Sequence, residues 1–291
     1  MKMQIIATGL SGLVGTRLRE LLDEKYFFTD LSYATGVDIT DYDQVEKCFK
    51  GSDAKIILHL AAKTDVDGCE DDKILGEEGA SWQVNVKGTE NICEAAKKSG
   101  KKVIYISTDF VFDGTKDFYN EEDKPDPVNW YGRTKYEGEK IVLKDESSVV
   151  VRIAYPYRTY FQDKKDFVAR ILDLIKQGDT LFGVIDHIMT PTFVDDIAFG
   201  LDELFQRDLS GIYHVVGGSS ISAYDAIYQI GKVFGLEPNV KSVKREEYFN
   251  KRAFRPFKLI LKNDKIQKLG VKMHTFTEGL FVLKKQLMIS Q

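Results

Sequence analysis

Tyr131 and Lys135 are the two residues whose types and spacing point most directly to chemistry. They stand four positions apart within residues 130–143, where the pattern predicts a helix, and such side chains share one helix face. A free phenol has a pKa of about 10, and a nearby ammonium favours the phenolate and lowers that pKa. The pair could therefore exchange a proton with a substrate, although a plain surface pair on an amphipathic helix has the same spacing.

Polar side chains at Ser107, Thr108 and Asp109 directly follow an apolar run at residues 103–106. That run predicts a buried parallel strand. Ligands bind in the crevice outside the carboxyl ends of such strands, so Thr108 could hydrogen-bond a substrate carbonyl. A Ser/Thr turn is the alternative interpretation.

Three glycines, Gly9, Gly12 and Gly15, mark a junction between an apolar run at residues 3–7 and a helical pattern at residues 13–23. In such a strand-turn-helix, the first glycine permits a tight turn and the second lets a pyrophosphate approach the backbone. The third lets the helix pack on the strand. Because the positive end of the helix and its free N–H groups would face the phosphates, the stretch predicts a dinucleotide site.

Asp30 lies about 20 residues beyond Gly9, near the end of a second predicted strand at residues 26–31. A carboxylate there accepts hydrogen bonds from the adenosine ribose and repels a 2′-phosphate. No arginine adjoins Asp30, so the sequence favours NAD(H) over NADP(H). A turn aspartate is the alternative.

Predicted strands and helices alternate through the first 153 residues. Further strands are expected at residues 56–60 and 149–153, and further helices at residues 41–49 and 79–98. Alternation of this kind implies right-handed βαβ units. We therefore predict an α/β fold with a doubly wound parallel sheet that is covered by helices on both faces.

After Tyr155 the pattern loosens. Helices are predicted at residues 167–175, 223–234 and 275–285 and within 191–205, and one more strand at residues 212–216. We assign residues 1–153 and 184–216 to a dinucleotide-binding domain. Residues 154–183 and 217–291 would form a smaller C-terminal substrate-binding lobe over the carboxyl ends of the strands.

The composition excludes several classes of function. The 291 residues include 41 Lys and Arg against 45 Asp and Glu, a net charge of −4, which provides no basic surface for nucleic acid. No apolar run is long enough for a signal peptide or a membrane span. The three cysteines and two of the histidines, His187 and His274, have no partners at metal-ligand spacing. We expect no bound metal, and a cytoplasmic protein with reduced thiols.

Other histidines and several tyrosines allow more than one role. His59 and His214 lie in apolar strand patterns and are expected in the core. Tyr155, Tyr157 and Tyr160 could line a sugar or base pocket, or pack between the two lobes.

The order of these features resembles that of the extended short-chain dehydrogenase/reductases and, within them, the dTDP-4-dehydrorhamnose reductases. The resemblance covers nearly the whole chain. The matching stretches are residues 8–15 (TGLSGLVG), 37–41 (VDITD), 59–67 (HLAAKTDVD), 85–89 (NVKGT), 107–114 (STDFVFDG), 130–135 (WYGRTK), 191–198 (PTFVDDIA) and 211–215 (GIYHV).

This resemblance implies a Rossmann sheet and the NAD(P)H-dependent reduction of a nucleotide-linked 4-keto sugar. Tyr131 would donate the proton to the developing alkoxide. Lys135 would lower the tyrosine pKa and hold the nicotinamide ribose, and Thr108 would orient the carbonyl. The partners expected are a nucleotide-sugar substrate and, as one option, a second copy of the chain in a homodimer.

The resemblance also assigns binding residues. The cofactor would contact Gly9, Ser11, Gly12, Leu13, Val14, Asp30, Asp38, Ile39, Leu60, Ala61, Ala62, Lys63, Tyr131 and Lys135. The substrate would contact Thr108, Asp109, Phe110, Val111, Tyr155 and Arg255.

Departures from the family pattern concentrate where the substrate would bind. There the family usually has tyrosine in place of Phe110, tryptophan in place of Tyr155 and glycine in place of Arg158. In the nicotinamide-side loop, the family usually has tyrosine in place of Lys63. Arg255 keeps its following proline but lacks the polar residues after it. The cofactor chemistry is therefore better supported than the identity of the substrate.

Two other functions stay open. A sugar-nucleotide epimerase or dehydratase shares the pattern, but dehydratases of this superfamily usually have an Asp-Glu pair after the threonine, where this chain has Asp109 and Phe110. A non-catalytic NAD(P)-binding regulatory subunit is the second alternative. It would resemble the β subunit of methionine adenosyltransferase.

Overall fold

The computed structural model describes residues 2–159 and 165–289, so Tyr160 lies outside the described residues. The strands are β1 (Met3–Thr8), β2 (Tyr26–Leu31), β3 (Ile56–His59), β4 (Lys102–Thr108), β5 (Val149–Ile153), β6 (Pro156–Tyr157), β7 (Thr180–Val184), β8 (Ile188–Met189), β9 (Thr192–Phe193), β10 (Gly211–His214), β11 (Ile221–Ser222) and β12 (Asn239–Val243).

Helices and short helical turns connect these strands. The helices are α1 (Leu13–Leu22), α2 (Tyr42–Lys50), α3 (Val66–Asp72), α4 (Ala80–Trp82), α5 (Gly88–Lys98), α6 (Trp130–Val142), α7 (Phe167–Gln177), α8 (Val194–Gln206), α9 (Ala223–Phe234), α10 (Arg245–Tyr248), α11 (Asp264–Gln267) and α12 (Phe276–Ile289). Short 3₁₀ turns occur at Tyr33–Thr35, Lys73–Glu78 and Asp109–Val111, and a π-helical turn at Gln83–Lys87.

A six-stranded parallel sheet in the order β10-β5-β4-β3-β1-β2 forms the centre of the fold. Helices α1 and α8 pack on one face, and α2, α5 and α6 pack on the other. The predicted α/β class and doubly wound sheet are therefore confirmed. The strand order reverses between β1 and β3, and ligands bind at such a switch point in open α/β sheets.

Local sequence accounts for most of these elements. The strands predicted at residues 26–31 and 149–153 have those bounds in the structure. Asp41 caps α2 by accepting from the N–H groups of Asp43 and Gln44, as its place at the predicted helix start suggests. The helix predicted over residues 79–98 is present as one continuous helical stretch, in which a π-helical turn separates α4 from α5.

The remaining strands form small pairs near the carboxyl end of the sheet. β7 pairs with β12, β8 with β11, and β6 with β9, and a third apolar cluster fills the space between α7, α9 and α12. β8 therefore lies among the lobe strands, although it follows residue 184. Conversely, Ile266, Val271 and Met273 pack in the core of the sheet. The chain crosses between sheet and lobe at more points than the three predicted boundaries, and the predicted domain limits stay a prediction.

Ion pairs join α1 to the segment after β6 and to the start of α8. The Arg158 guanidinium donates to both carboxylate oxygens of Glu20, at 2.6 and 2.8 Å, and to the Thr16 hydroxyl at 2.8 Å. On the same helix, Arg17 Nε donates to Asp195 Oδ1 at 2.6 Å. Arg158, one of the departures from the family pattern, therefore anchors the segment after β6 on the helix that follows the glycine-rich loop.

Gly15 is required by the close packing of α1 on the loop that precedes it. A methyl group there would lie 2.5 Å from Leu10 Cα and 2.8 Å from the Gly9 carbonyl oxygen. We expect Gly15→Ala to lower the free energy of unfolding by about 1–3 kcal/mol, because backbone overlap outweighs the better helix propensity of alanine.

Gly51 provides a matched control for this prediction. No described atom lies within 4 Å of a methyl group at Gly51, and its φ is −90°, which alanine adopts readily. Gly51→Ala should change stability by no more than about 0.5 kcal/mol. Urea denaturation of both variants measures the difference, and equal midpoints would show that α1 does not pack as described.

Candidate active site

The turn between β1 and α1 forms an open cradle of backbone groups. Gly9 has a φ of +70°, and a methyl group there would lie 2.7 Å from the Ala61 nitrogen. Gly12 is the N-cap of α1, and no side chain caps this helix start. The first-turn N–H groups of Leu13 and Val14 therefore point toward a position where an anion would be favoured.

The loop after β3 lies against this cradle. The Ala61 N–H donates to the Thr8 hydroxyl at 3.1 Å, and the Leu60 N–H donates to the Thr8 carbonyl at 3.2 Å. Two residues on, the Lys63 N–H donates to Asn85 Oδ1 at 2.8 Å, and Asn85 Nδ2 donates back to the Lys63 carbonyl at 3.0 Å. Residues 60–63 are thus fixed between the switch point and the π-helical turn that carries Asn85.

Asp30 ends β2 beside Ala7, as predicted. The Ser32 hydroxyl donates to its Oδ2 at 3.0 Å, whereas its Oδ1 is buried and has no hydrogen-bond partner among the described residues. An unsatisfied carboxylate oxygen is costly when buried, so a donor from a ligand would be stabilising here.

Asp38 and Ile39 lie on the loop that follows β2. The N–H and the hydroxyl of Thr40 both donate to Asp38 Oδ1 at 2.8 Å. Ile39 is buried against α5, where Asn91 Nδ2 donates to its carbonyl at 3.0 Å. This loop therefore borders the same edge of the sheet as Asp30.

Tyr131 lies in the first turn of α6 and is buried. Asn129 caps the helix by accepting from the Gly132 N–H at 2.8 Å. Its ring lies 5.8 Å from that of Phe110, just after the end of β4, and the nearby Thr108 hydroxyl influences its pKa. The structure thus brings together the two residues that the sequence selected for proton transfer and carbonyl binding.

Burial controls the acidity of this tyrosine. It raises the pKa of Tyr131 above the ordinary value. The neighbouring Thr108 hydroxyl opposes that rise, and the Asp109 carboxyl adds to it. The expected lowering of this pKa by Lys135 does not occur here, because the Lys135 ammonium donates to the Ile106 carbonyl at 2.7 Å and lies 4.0 Å from the centre of the Tyr105 ring.

Lys135 is itself a buried cation. Burial lowers its pKa to about 7, against the opposing influence of the Glu139 carboxylate. His59, whose buried ring hydrogen-bonds with Thr8 and Thr89, is close enough that the ammonium contributes to lowering its pKa to about 3. His59 is therefore a neutral core residue, as predicted.

Asp109 is the third polar group at the end of β4. Its carboxyl accepts from the Thr108 hydroxyl at 2.9 Å, and its other oxygen is buried without a partner in the described part of the chain. Burial raises its pKa to about 7, although hydrogen bonds to Thr108 and to backbone N–H groups oppose the rise. The carboxyl can therefore hold a proton near neutral pH.

The remaining predicted substrate residues differ in their surroundings. The Phe110 ring lies 5.8 Å from that of Tyr131 and 6.3 Å from that of Tyr155, measured between ring centres. Val111 is fully buried in the same apolar cluster as Phe110 and Tyr131. Arg255 Nη1 donates to Asp67 Oδ1 at 2.7 Å and so joins the lobe to α3.

Tyr155 is held in an unusual conformation. Its φ is +40°, a strained value for a residue other than glycine. Its hydroxyl lies 2.6 Å from His187 Nε2, and His187 Nδ1 lies 2.7 Å from the Pro256 carbonyl. Because the carbonyl accepts only, Nδ1 carries the proton and the tyrosine hydroxyl donates to Nε2.

Sequence reasoning assigned no site role to Asp67, Asn129 or His187. Asn129 stands directly before a predicted helix, a preferred N-cap position that could have revealed its role. No local pattern marks His187 or Asp67 as neighbours of residues 155 and 255.

Residues 2–159 and 165–289 contain no group of three or more His, Cys, Asp or Glu side chains placed to hold a metal ion. No helix in those ranges is both long and apolar enough to span a membrane.

Comparison with known proteins places this geometry in a family. The model of the RmlD substrate binding domain matches residues 3–288. A dTDP-4-dehydrorhamnose reductase of Aggregatibacter actinomycetemcomitans is 32% identical over 261 residues, which cover 84% of this chain and 86% of that protein. The β subunit of methionine adenosyltransferase 2 of Xenopus tropicalis is 28% identical over 285 residues, covering 93% and 83%.

Solved structures agree with the sequence relatives. The crystal structure of a dTDP-4-dehydrorhamnose reductase from Bacillus anthracis in complex with NADP has a TM-score of 0.89 and 31% identity, and the match covers all of both chains. The glycine-rich turn, the strand-end threonine and the Tyr-Lys helix thus occur within a match that spans the whole fold. The chain belongs to the family of the RmlD substrate binding domain, which confirms the resemblance to the dTDP-4-dehydrorhamnose reductases.

Proposed function

We propose that this protein is an NAD(P)H-dependent reductase of a nucleotide-linked 4-keto sugar, of the dTDP-4-dehydrorhamnose reductase type. The observation that carries the proposal is the burial of Tyr131 beside the end of β4, where its ring lies 5.8 Å from that of Phe110 and the Thr108 hydroxyl influences its pKa. Lys135 lies one turn along the same helix, and the glycine-rich cradle lies at the adjacent switch point. Relatives named as such reductases support the same activity.

The residues present fit a dinucleotide. The cradle at Gly12 offers unbonded helix N–H groups to a pyrophosphate, and the buried Asp30 Oδ1 lacks a donor that a ribose hydroxyl would provide. Leu60, Ala61 and Lys63 would border the nicotinamide half. When bound, the reduced cofactor would supply a hydride to the keto carbon.

The residues of this chain would donate the proton and orient the substrate carbonyl. Tyr131 keeps its proton across the neutral range because burial raises its pKa, so it would act as the donor to the developing alkoxide. Thr108 would donate a hydrogen bond to the same oxygen. With cofactor bound, the Lys135 ammonium would turn from the Ile106 carbonyl to the nicotinamide ribose and make proton transfer from Tyr131 easier.

The substrate would enter between β4 and the lobe. Asp109, Phe110 and Tyr155 face this crevice with one carboxyl and two aromatic rings, a lining that suits a sugar. Arg255 would lie at the edge of this crevice. There its guanidinium could release the Asp67 carboxylate and bind the diphosphate of a substrate instead. The side chain of Val111 is not part of this proposed site.

A regulatory subunit is the second candidate, since the match to the methionine adenosyltransferase 2 β subunit covers 93% of this chain at 28% identity. It would bind cofactor in the same cradle and turn over no keto sugar. The experiments below separate it from the reductase.

Gly12→Val should abolish cofactor binding without unfolding the protein. The nearest described atom to a methyl group at Gly12 is the Gly9 carbonyl oxygen at 3.2 Å, so a shift of a few tenths of an ångström admits the substitution, and the side chain occupies the pyrophosphate position. NADH and NADPH titrations by fluorescence measure the effect, with Gly51→Val as a control in open space. Wild-type affinity in a folded Gly12→Val protein would disprove the dinucleotide site.

Asp30 should make NADH the preferred cofactor. A carboxylate repels the 2′-phosphate of NADPH, and a basic side chain to bind that phosphate does not adjoin it in sequence. Asp30→Asn keeps the shape without the charge, so the ratio of the NADPH and NADH dissociation constants should fall by about tenfold. A wild-type preference for NADPH of more than about tenfold would show that Asp30 does not discriminate.

Tyr131→Phe should abolish turnover and preserve cofactor binding. The ring remains but the proton is lost, and a positioned general acid contributes roughly 10²–10⁴-fold. NADH oxidation with a panel of 4-keto nucleotide sugars is the assay. Tyr136→Phe, on the same helix but outside the proposed site, is the matched control. Full activity in Tyr131→Phe would refute this proton donor, and a wild type that binds cofactor but is inert with every sugar would favour the regulatory subunit.

A further inference from the structure

A buried ion pair lies one helical turn beyond Lys135. Glu139 accepts from Arg152 Nε at 2.9 Å and from Arg152 Nη2 at 2.8 Å, and both side chains are only 1% exposed. Such two-point geometry fixes direction as well as distance. Since Lys135 and Glu139 stand four residues apart on α6, the carboxylate lies on the same helix face as the ammonium.

The sheet holds Arg152 from several sides. Arg152 lies in β5 between Ser107 of β4 and His214 of β10. Its Nη1 lies 3.3 Å from His214 Nε2, and the His214 Nδ1 lies 3.0 Å from the Lys262 carbonyl. The Phe112 ring stacks on the guanidinium with its centre 4.9 Å away. The position of the Glu139 carboxylate is therefore set by the sheet as well as by its own helix.

The other titratable groups around Lys135 provide no negative charge near neutral pH. Tyr105 of β4 presents its ring face to the ammonium, and its buried phenol stays protonated because burial raises its pKa. His59 of β3 is neutral, since burial and the Lys135 charge lower its pKa to about 3. Around Glu139, Arg152 is cationic and His214 is neutral, with a pKa lowered to about 3 by burial and by Arg152. Among the described groups, the carboxylate that favours the charged form of Lys135 is Glu139.

We propose that Glu139, held by Arg152, is a positioning residue that keeps the Lys135 ammonium charged and aligned for the reaction at Tyr131. The proposal rests on the function proposed above, in which Lys135 acts as a cation toward the nicotinamide ribose. Without the carboxylate, the buried lysine would lose its proton at lower pH, because burial favours the neutral amine.

The test is the pH dependence of NADH binding, followed by fluorescence in wild type and four variants. In wild type, affinity should fall as the pH rises through the titration of Lys135, and Lys135→Met should lack this transition. In Glu139→Gln the midpoint should move down by at least about half a pH unit. Glu137→Gln removes a carboxylate from the outer face of the same helix, where it pairs with Arg133, and should leave the midpoint unchanged.

One of the four variants controls for an effect of Glu139→Gln on folding. Glu139→Gln leaves a buried arginine without its partner, which is destabilising, so Glu139→Gln/Arg152→Gln serves as the fourth variant and removes both charges. It should show the same downward shift, because the lost carboxylate is the charge that acts on Lys135.

The outcomes separate this inference from the proposed function. A lower kcat or melting temperature in Glu139→Gln with an unmoved midpoint, in binding and in the pH profile of turnover, would show a purely structural ion pair and overturn the inference alone. A wild-type transition that survives in Lys135→Met would overturn the role of Lys135 itself, and the inference with it. A downward shift confined to the variants that lack Glu139 supports the proposal.

Discussion

The close contact of α6 with β4 is the constraint on which the site depends. A methyl group at Gly132 would overlap the Phe110 carbonyl, and one at Gly138 would overlap the Tyr105 hydroxyl. Glycine at these two positions lets the helix backbone lie directly on the end of the strand. As a result, Tyr131 and Lys135 project into the protein and are buried, although their spacing alone is equally compatible with a solvated helix face.

Burial of these side chains has an energetic consequence that the surrounding residues offset. A cation removed from water is costly unless other groups stabilise it. Here the Ile106 carbonyl, the Tyr105 ring and the Glu139 carboxylate each stabilise Lys135 in part, and burial still lowers its pKa to about 7. The same absence of water raises the pKa of Tyr131 and Asp109. The groups that would handle protons are thus shifted in opposite directions by one cause, which is common where a site must donate and accept protons near neutral pH.

The cofactor half of the site could be predicted from sequence because its determinants are local. The glycine-rich turn, Asp30 and the strand-end Thr108 each follow a short apolar run, and the switch point then brings these strand ends together. By contrast, the Tyr155–His187 and Asp67–Arg255 contacts join residues 32 and 188 positions apart. No periodicity links such partners. The pattern also predicts the helix over residues 79–98, but not the π-helical turn within it, where Asn85 hydrogen-bonds with the Lys63 backbone.

The departures from the family pattern can now be separated by what each contacts. Arg158 contacts Thr16 and Glu20 of α1. The free-energy cost of burying its guanidinium charge is therefore offset by the ion pair with Glu20, which anchors the lobe on α1. Tyr155 instead keeps a strained backbone, and its hydroxyl is bound to His187 beside the predicted substrate crevice. Strain persists where the surrounding structure enforces it, and it clusters at sites that bind ligands. Arg158 is therefore a structural departure, whereas Tyr155 alters the surface that a sugar would contact. Of these two departures, Tyr155, whose hydroxyl is bound to His187, is the one that lies beside the proposed substrate site.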